Sequence, residues 1–249
     1  MLWRDRPFSD RFSAARDAGF DTVEFWWPRG ERIEDVESAV KRNMLHVALL
    51  NMDAGDLDAG ERGFLNRPER RADVLAAARE AIALARAVDC PLINAPVGKD
   101  SGADPERQAG AVIEALREII DIGNQAGIVV TLEPLNSIDH PSYLMCSTRV
   151  ASEWIRRAGP GLGLLYDAYH MGCMGEDIVR APGDLNPVHI QIADVPGRHE
   201  PGTGHLPFSA FFTALEAAGY TGRVGLEYAP STTTSDSFQW LSAYIDNAN

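Results

Sequence analysis

Seven short runs rich in β-branched and aromatic residues recur along the 249-residue chain, with helix-like segments between them. The runs cover residues 22–27, 46–52, 91–97, 128–133, 162–167, 189–194 and 223–227. Their lengths suit strands, and the intervening stretches 31–43, 68–88, 106–126 and 208–218 carry Ala, Leu, Glu and Arg with apolar residues at helical spacing. Gly19, Gly127 and Gly219 stand just before a strand-like run, where a left-handed glycine closes the preceding helix. Strand-helix alternation implies an α/β protein with a parallel sheet, and at this length a closed (βα)8 barrel is the expected form. An open doubly wound sheet is the rival, but no GxGxxG follows the first run. Without a long linker or low-complexity stretch, residues 1–249 are expected to form one domain.

Charge and cysteine content narrow the function. Thirty-six acidic against 23 basic residues give a net charge of −13, which opposes binding to nucleic acid or anionic lipid. The three cysteines, Cys90, Cys146 and Cys173, are widely spaced and include no CxxC pair, so neither a disulfide framework nor a zinc knuckle is indicated. A reducing, cytoplasmic setting is expected. No signal-like apolar core opens the chain, and no stretch of about 18 uncharged apolar residues occurs.

Four short apolar stretches in the second half, 128–133, 162–167, 188–191 and 223–227, each stop at a residue able to hold a divalent cation: Glu133, Asp167, Gln191 and Glu227. Strand side chains alternate between faces, so in Thr131-Leu-Glu133, Leu165-Tyr-Asp167, His189-Ile-Gln191 and Gly225-Leu-Glu227 the polar end residue can face the barrel while its neighbour meets the helices. Barrel active sites gather at the carboxyl ends of the strands. One such acid alone is explained by a surface ion pair. Four oxygen donors in the same phase point to a metal site, and hard oxygen ligands suit Mg²⁺ or Mn²⁺ better than zinc.

Several strings resemble the hydroxypyruvate isomerase family of the xylose-isomerase-like barrel superfamily. They are Ala18-Gly-Phe-Asp-Thr-Val-Glu-Phe25, Ala54-Gly-Asp-Leu-Asp-Ala-Gly-Glu-Arg-Gly63, Leu132-Glu-Pro-Leu-Asn136, Tyr166-Asp-Ala-Tyr-His-Met171, His189-Ile-Gln-Ile-Ala-Asp194, Glu200-Pro-Gly-Thr-Gly204 and Val224-Gly-Leu-Glu-Tyr228. Together they span nearly the whole chain in order. The resemblance implies a metal held by Glu133, Asp167, Gln191 and Glu227, with Glu133 and Glu227 as the proton-transferring pair. Gln191 matches the isomerase-like branch, since the related ketose 3-epimerases usually place histidine there. The resemblance also implies that His170 and Arg198 touch substrate oxygens. The planar fork of Arg198 fits a substrate carboxylate, with Lys99 a second candidate cation. The loop carrying Glu61-Arg62-Gly63 is long enough to act as a lid. Trp26 and Trp27 are explained by packing or as a pocket wall.

Family members carry one further strand before the position of Leu2-Trp3, so the first barrel strand is expected to be missing here. Its neighbours would then have unpaired edges unless another segment or chain fills the gap.

The implied activity is conversion of hydroxypyruvate to 2-hydroxy-3-oxopropanoate (tartronate semialdehyde). A proton leaves the carbon beside a carbonyl and returns to the adjacent carbon, while a cation stabilises the enediolate. The expected partners are a small keto acid or sugar and a second copy of the chain in a homo-oligomer. A ketose 3-epimerase, or an isomerase of another short 2-keto acid such as 2-oxo-tetronate, is the alternative. A phosphodiester hydrolase of the apurinic-site endonuclease type needs a histidine-rich multi-metal cluster and a basic face, whereas this chain has six histidines and a strong negative charge.

Overall fold

A computed structural model describes residues 1–242. Seven parallel strands run in sequential order around a nearly closed barrel: β1 Thr22–Phe25, β2 His46–Asn51, β3 Leu92–Asn94, β4 Val129–Leu132, β5 Leu162–Asp167, β6 His189–Ile192 and β7 Val224–Leu226. The helices are α1 Phe8–Asp17, α2 Ile33–Arg42, α3 Arg71–Ala87, α4 Pro105–Ala126, α5 Thr148–Ala158, α6 Ala168–Cys173, α7 Ala181–Leu185 and α8 Phe208–Ala217.

Burial follows the pattern that the residue types dictate. In α3, Val74, Ala77, Ala78, Ala81, Ile82 and Ala85 recur every three or four residues and form the buried stripe. In β4, Val130 and Leu132 join the core, and each fully buried aliphatic side chain contributes about 1.5–3 kcal/mol. Asp104 caps α4 by accepting the Arg107 N–H, Pro105 takes the first turn where its missing donor costs nothing, and Gly127 ends the helix at φ 72°. Gly19 and Gly219 also adopt positive φ, as their places in the sequence predict.

Element boundaries are tighter than the composition suggests. The run 91–97 pairs only over Leu92–Asn94, because the chain then turns through Pro96, and Val97 bridges Gly63 in the antiparallel sense. That bridge leaves no room at residue 63, where an added Cβ would lie 1.9 Å from the Pro96 carbonyl oxygen. Residues 68–70 form a single 3₁₀ turn before α3 begins at Arg71. No helix among the described residues is long and apolar enough to cross a membrane.

The barrel is not sealed. The strand order runs from β1 to β7 without pairing these two edges, as expected for a barrel lacking its first strand. A cleft of about 600 Å³ lies between them, lined by Val23 and Phe25 on one side and Val224 and Leu226 on the other, with Leu2 and Trp3 at its end. The Glu24 side chain reaches across toward β7, where an added Cβ on Gly225 would sit 2.3 Å from its carboxylate.

Candidate active site

β4, β5 and β7 each deliver one carboxylate to the mouth of the barrel. Glu133 and Glu227 directly follow β4 and β7, and Asp167 ends β5, so the two-residue strand period sets all three on the inner face. One ligand atom from each, together with a ring nitrogen of His170, falls within a mutual separation of 4.8 Å.

Each acid is oriented by its own partners. Glu133 Oε2 accepts from Asn94 Nδ2 at 2.8 Å, and that amide also donates to Asn51 Oδ1 at 2.7 Å. Asp167 Oδ1 accepts the backbone N–H groups of Tyr169, at 2.7 Å, and His170, so it caps the helix that carries the histidine. Glu227 Oε1 accepts from Trp26 Nε1 at 2.8 Å and its Oε2 from Arg198 Nη2 at 2.7 Å. Burial raises the Glu133 carboxyl well above the usual range, reinforced by the charges of Glu227 and Asp167. Asp167 is pushed up to about 7, mainly by burial, although Arg198 pulls the other way.

Gln191 sits beside Asp167 in the register of β5 and β6. Its Nε2 donates to Glu24 Oε1 at 2.8 Å, while its Oε1 is buried and has no hydrogen-bond partner. Glu24 is fixed in turn by His189 Nε2; burial pushes its carboxyl up, but His189, the Gln191 hydrogen bond and the N-terminal charge together hold it below its ordinary pKa.

These donors fit a divalent cation. The three carboxylates, with Arg198 the one guanidinium among them, leave two negative charges uncompensated when all are ionised, and an orphaned amide oxygen is an acceptor that a cation satisfies. His170 is the poorer ligand although it belongs to the same cluster. Its Nδ1 accepts the Asn136 backbone N–H at 3.1 Å, which places the ring proton on Nε2, 3.8 Å from Glu133 and 3.7 Å from Asp167. Burial and Arg198 hold this imidazole neutral, so it presents an N–H to the centre.

Arg198 is occupied by acids rather than poised over open space. Besides Glu227 it approaches Asp167 at 3.5 Å, and its guanidinium stands 5.0 Å over the Tyr169 ring. Its loop is tied down by Asp194, whose carboxylate accepts backbone N–H groups from Val195, Gly202, Gly204 and Leu206. Lys99 lies behind the Gly60 turn and does not line the cavity.

The cavity itself holds about 290 Å³. Trp26, Trp27, Met52 and Leu135 wall it, and Arg62 and His140 line it together with Glu133 and Glu227. Sequence reasoning did not single out Glu24, Asn94 or His140. Glu24 left one signal, a charged residue in the middle of an otherwise apolar strand.

Residues 12–244 match the family described as xylose isomerase-like TIM barrel. The chain belongs to that family. It is 35% identical over 248 residues to the hydroxypyruvate isomerase of Escherichia coli K12, across 98% of this chain and 96% of that protein. A 2-oxo-tetronate isomerase of Cupriavidus necator is 32% identical over 249 residues, again across 98% and 96%. A solved structure described as AP endonuclease, family 2 from Brucella melitensis has a TM-score of 0.94 and 34% identity, covering 98% of this chain and 95% of that one. This member of the xylose isomerase-like family is an isomerase, in agreement with the resemblance read from its sequence strings.

Proposed function

We propose that this isomerase interconverts hydroxypyruvate and 2-hydroxy-3-oxopropanoate, with Glu133 and Glu227 as the proton-transferring pair. The observation that carries the reading is the meeting of these two carboxylates with Asp167 at the mouth of the barrel. Relatives named hydroxypyruvate isomerase and 2-oxo-tetronate isomerase, aligned over nearly the whole chain, support a short 2-keto acid as substrate.

Glu133, Asp167, Gln191 and Glu227 would hold a divalent cation, Mg²⁺ or Mn²⁺. When bound, such an ion polarises the substrate carbonyl and acidifies the neighbouring C–H bond. The protein's own groups account for the rest. One glutamate takes the proton from C3 and the other gives a proton to C2, while the hydroxyl proton moves from O3 to O2, so atoms balance without a redox partner. A carboxyl raised toward neutral pH by burial, as at Glu133, suits an exchanging proton. The Nε2–H of His170 aims at the same centre and stabilises the oxygen on which negative charge develops. Trp26, Trp27, Met52 and Leu135 exclude water from the reacting carbons.

The same pocket chemistry extends to a substrate one carbon longer, which keeps 2-oxo-tetronate as the alternative. Phosphodiester cleavage on nucleic acid is disfavoured by the net charge of −13. The test is a substrate panel of hydroxypyruvate, longer 2-keto acids and free ketoses, assayed after chelation and again with Mg²⁺ or Mn²⁺ restored. Ion-dependent turnover confined to the short 2-keto acids is expected. Faster turnover of free ketoses than of any keto acid would sink the reading.

A further inference from the structure

The cavity is lined by a cation with no part in the proton transfer, set among Asp53, Asp56 and Asp58 of the same loop. Arg62 lines the same space as Glu133, His170 and Glu227. Its Nη1 donates to the Leu57 and Glu61 carbonyl oxygens, at 3.1 and 2.6 Å, and its Nε donates to His140 Nδ1 at 3.2 Å. No acid among the described residues lies within ion-pair distance of it, and its Nη2 has no hydrogen-bond partner there. The other two arginines of the cavity differ. Arg198 is held by Glu227 and Asp167, and Arg29 by Asp53.

Three features keep Arg62 charged and aimed. His140 accepts its Nε–H through Nδ1, which fixes the guanidinium plane with a neutral partner where a carboxylate would cancel the charge. The two carbonyl oxygens hold Nη1 and leave the opposite terminal nitrogen for a ligand. Gly63, at φ 95° and too close to Pro96 for any side chain, seats the next residue of the loop against the barrel.

We propose that Arg62 binds the substrate carboxylate, so that the loop between β2 and α3 selects 2-keto acids over neutral ketoses. This rests on the proposed reaction, in which the carbonyl and hydroxyl of a short keto acid occupy the acidic end of the pocket and the carboxylate projects away from it. An arginine already shared between two carboxylates has little to offer a third anion. An uncompensated one matches it.

The test pairs a binding measurement with kinetics. Glycerate has the same carbon skeleton and carboxylate but no ketone and cannot isomerise, so its affinity, followed by fluorescence of the pocket tryptophans, reads the subsite apart from turnover. In Arg62→Met, glycerate affinity and kcat/KM for hydroxypyruvate should each fall about 100-fold, the loss of one charge-assisted contact, while the weak binding of glycerol stays unchanged. Arg62→Lys keeps the charge without the fork and should lose about tenfold, which also serves if the Met variant does not fold. Wild-type affinity for glycerate in a folded Met or Lys variant overturns the proposal. Weakened glycerate binding in a protein that turns over no keto acid would instead leave the subsite standing and remove the reaction.

Discussion

The strand-end and loop sides of the pocket are built by different means. Glu133, Asp167, Gln191 and Glu227 grow from the ends of four parallel strands, and backbone pairing across β4 to β7 spaces them. Arg62 and His140 stand on loops, held by carbonyl oxygens and by each other. The strand ends therefore gather like charges that would repel one another in a softer setting, while the loops mix signs, with Arg62 lining the cavity alongside Asp53, Asp56 and Asp58. Rigid strands are suited to hold chemistry in place and loops to choose what enters it.

The contrast can be broken most forcefully at the glutamates. Glu133→Gln and Glu227→Gln each remove a proposed proton-transfer group without changing its volume, so kcat for hydroxypyruvate should drop about 10³-fold with the circular dichroism spectrum retained. Near-normal turnover in both would refute their roles.

A smaller effect is expected one layer out. Glu24→Ala removes the acceptor that orients Gln191 and leaves His189 without its charged partner, so the Mg²⁺ concentration for half-maximal activity should rise about 10–100-fold. An unchanged Mg²⁺ dependence would show that Gln191 is not set by Glu24.

The smallest change concerns stability. Burial and mutual repulsion raise Glu133 and Asp167, the latter to about 7, so between about pH 4 and pH 7 these two carboxyls bind more protons in the folded chain than in the unfolded one, while His140 and His170, lowered by burial, bind fewer. Stability contributed by the protonated carboxyls is present at low pH and lost as pH rises through that window. In chelator, the melting temperature of the wild type should fall by a few degrees relative to that of Asp167→Asn between pH 5 and pH 8. A wild-type melting temperature that rises relative to the Asn variant over that range would contradict the sign.

The same division explains what the sequence revealed. Glu133, Asp167, Gln191 and Glu227 were legible because each closes an apolar stretch in the same phase of a two-residue period. Arg62 appeared only as part of a lid-like loop, and His140 not at all, because no periodicity fixes where a loop side chain points. The engagement of Arg198 with Glu227 and Asp167 was equally hidden, since it depends on Asp194 folding the loop after β6 back over the mouth. Glu24 was masked by its run, where a lone acid in an apolar strand has no sequence neighbour to reveal its partners.

The most direct measurement is an anomalous difference map from crystals soaked in Mn²⁺. One strong peak is predicted, about 2.1–2.2 Å from oxygens of Glu133, Asp167, Gln191 and Glu227. A peak elsewhere, or none among those four side chains at saturating Mn²⁺, would contradict the account.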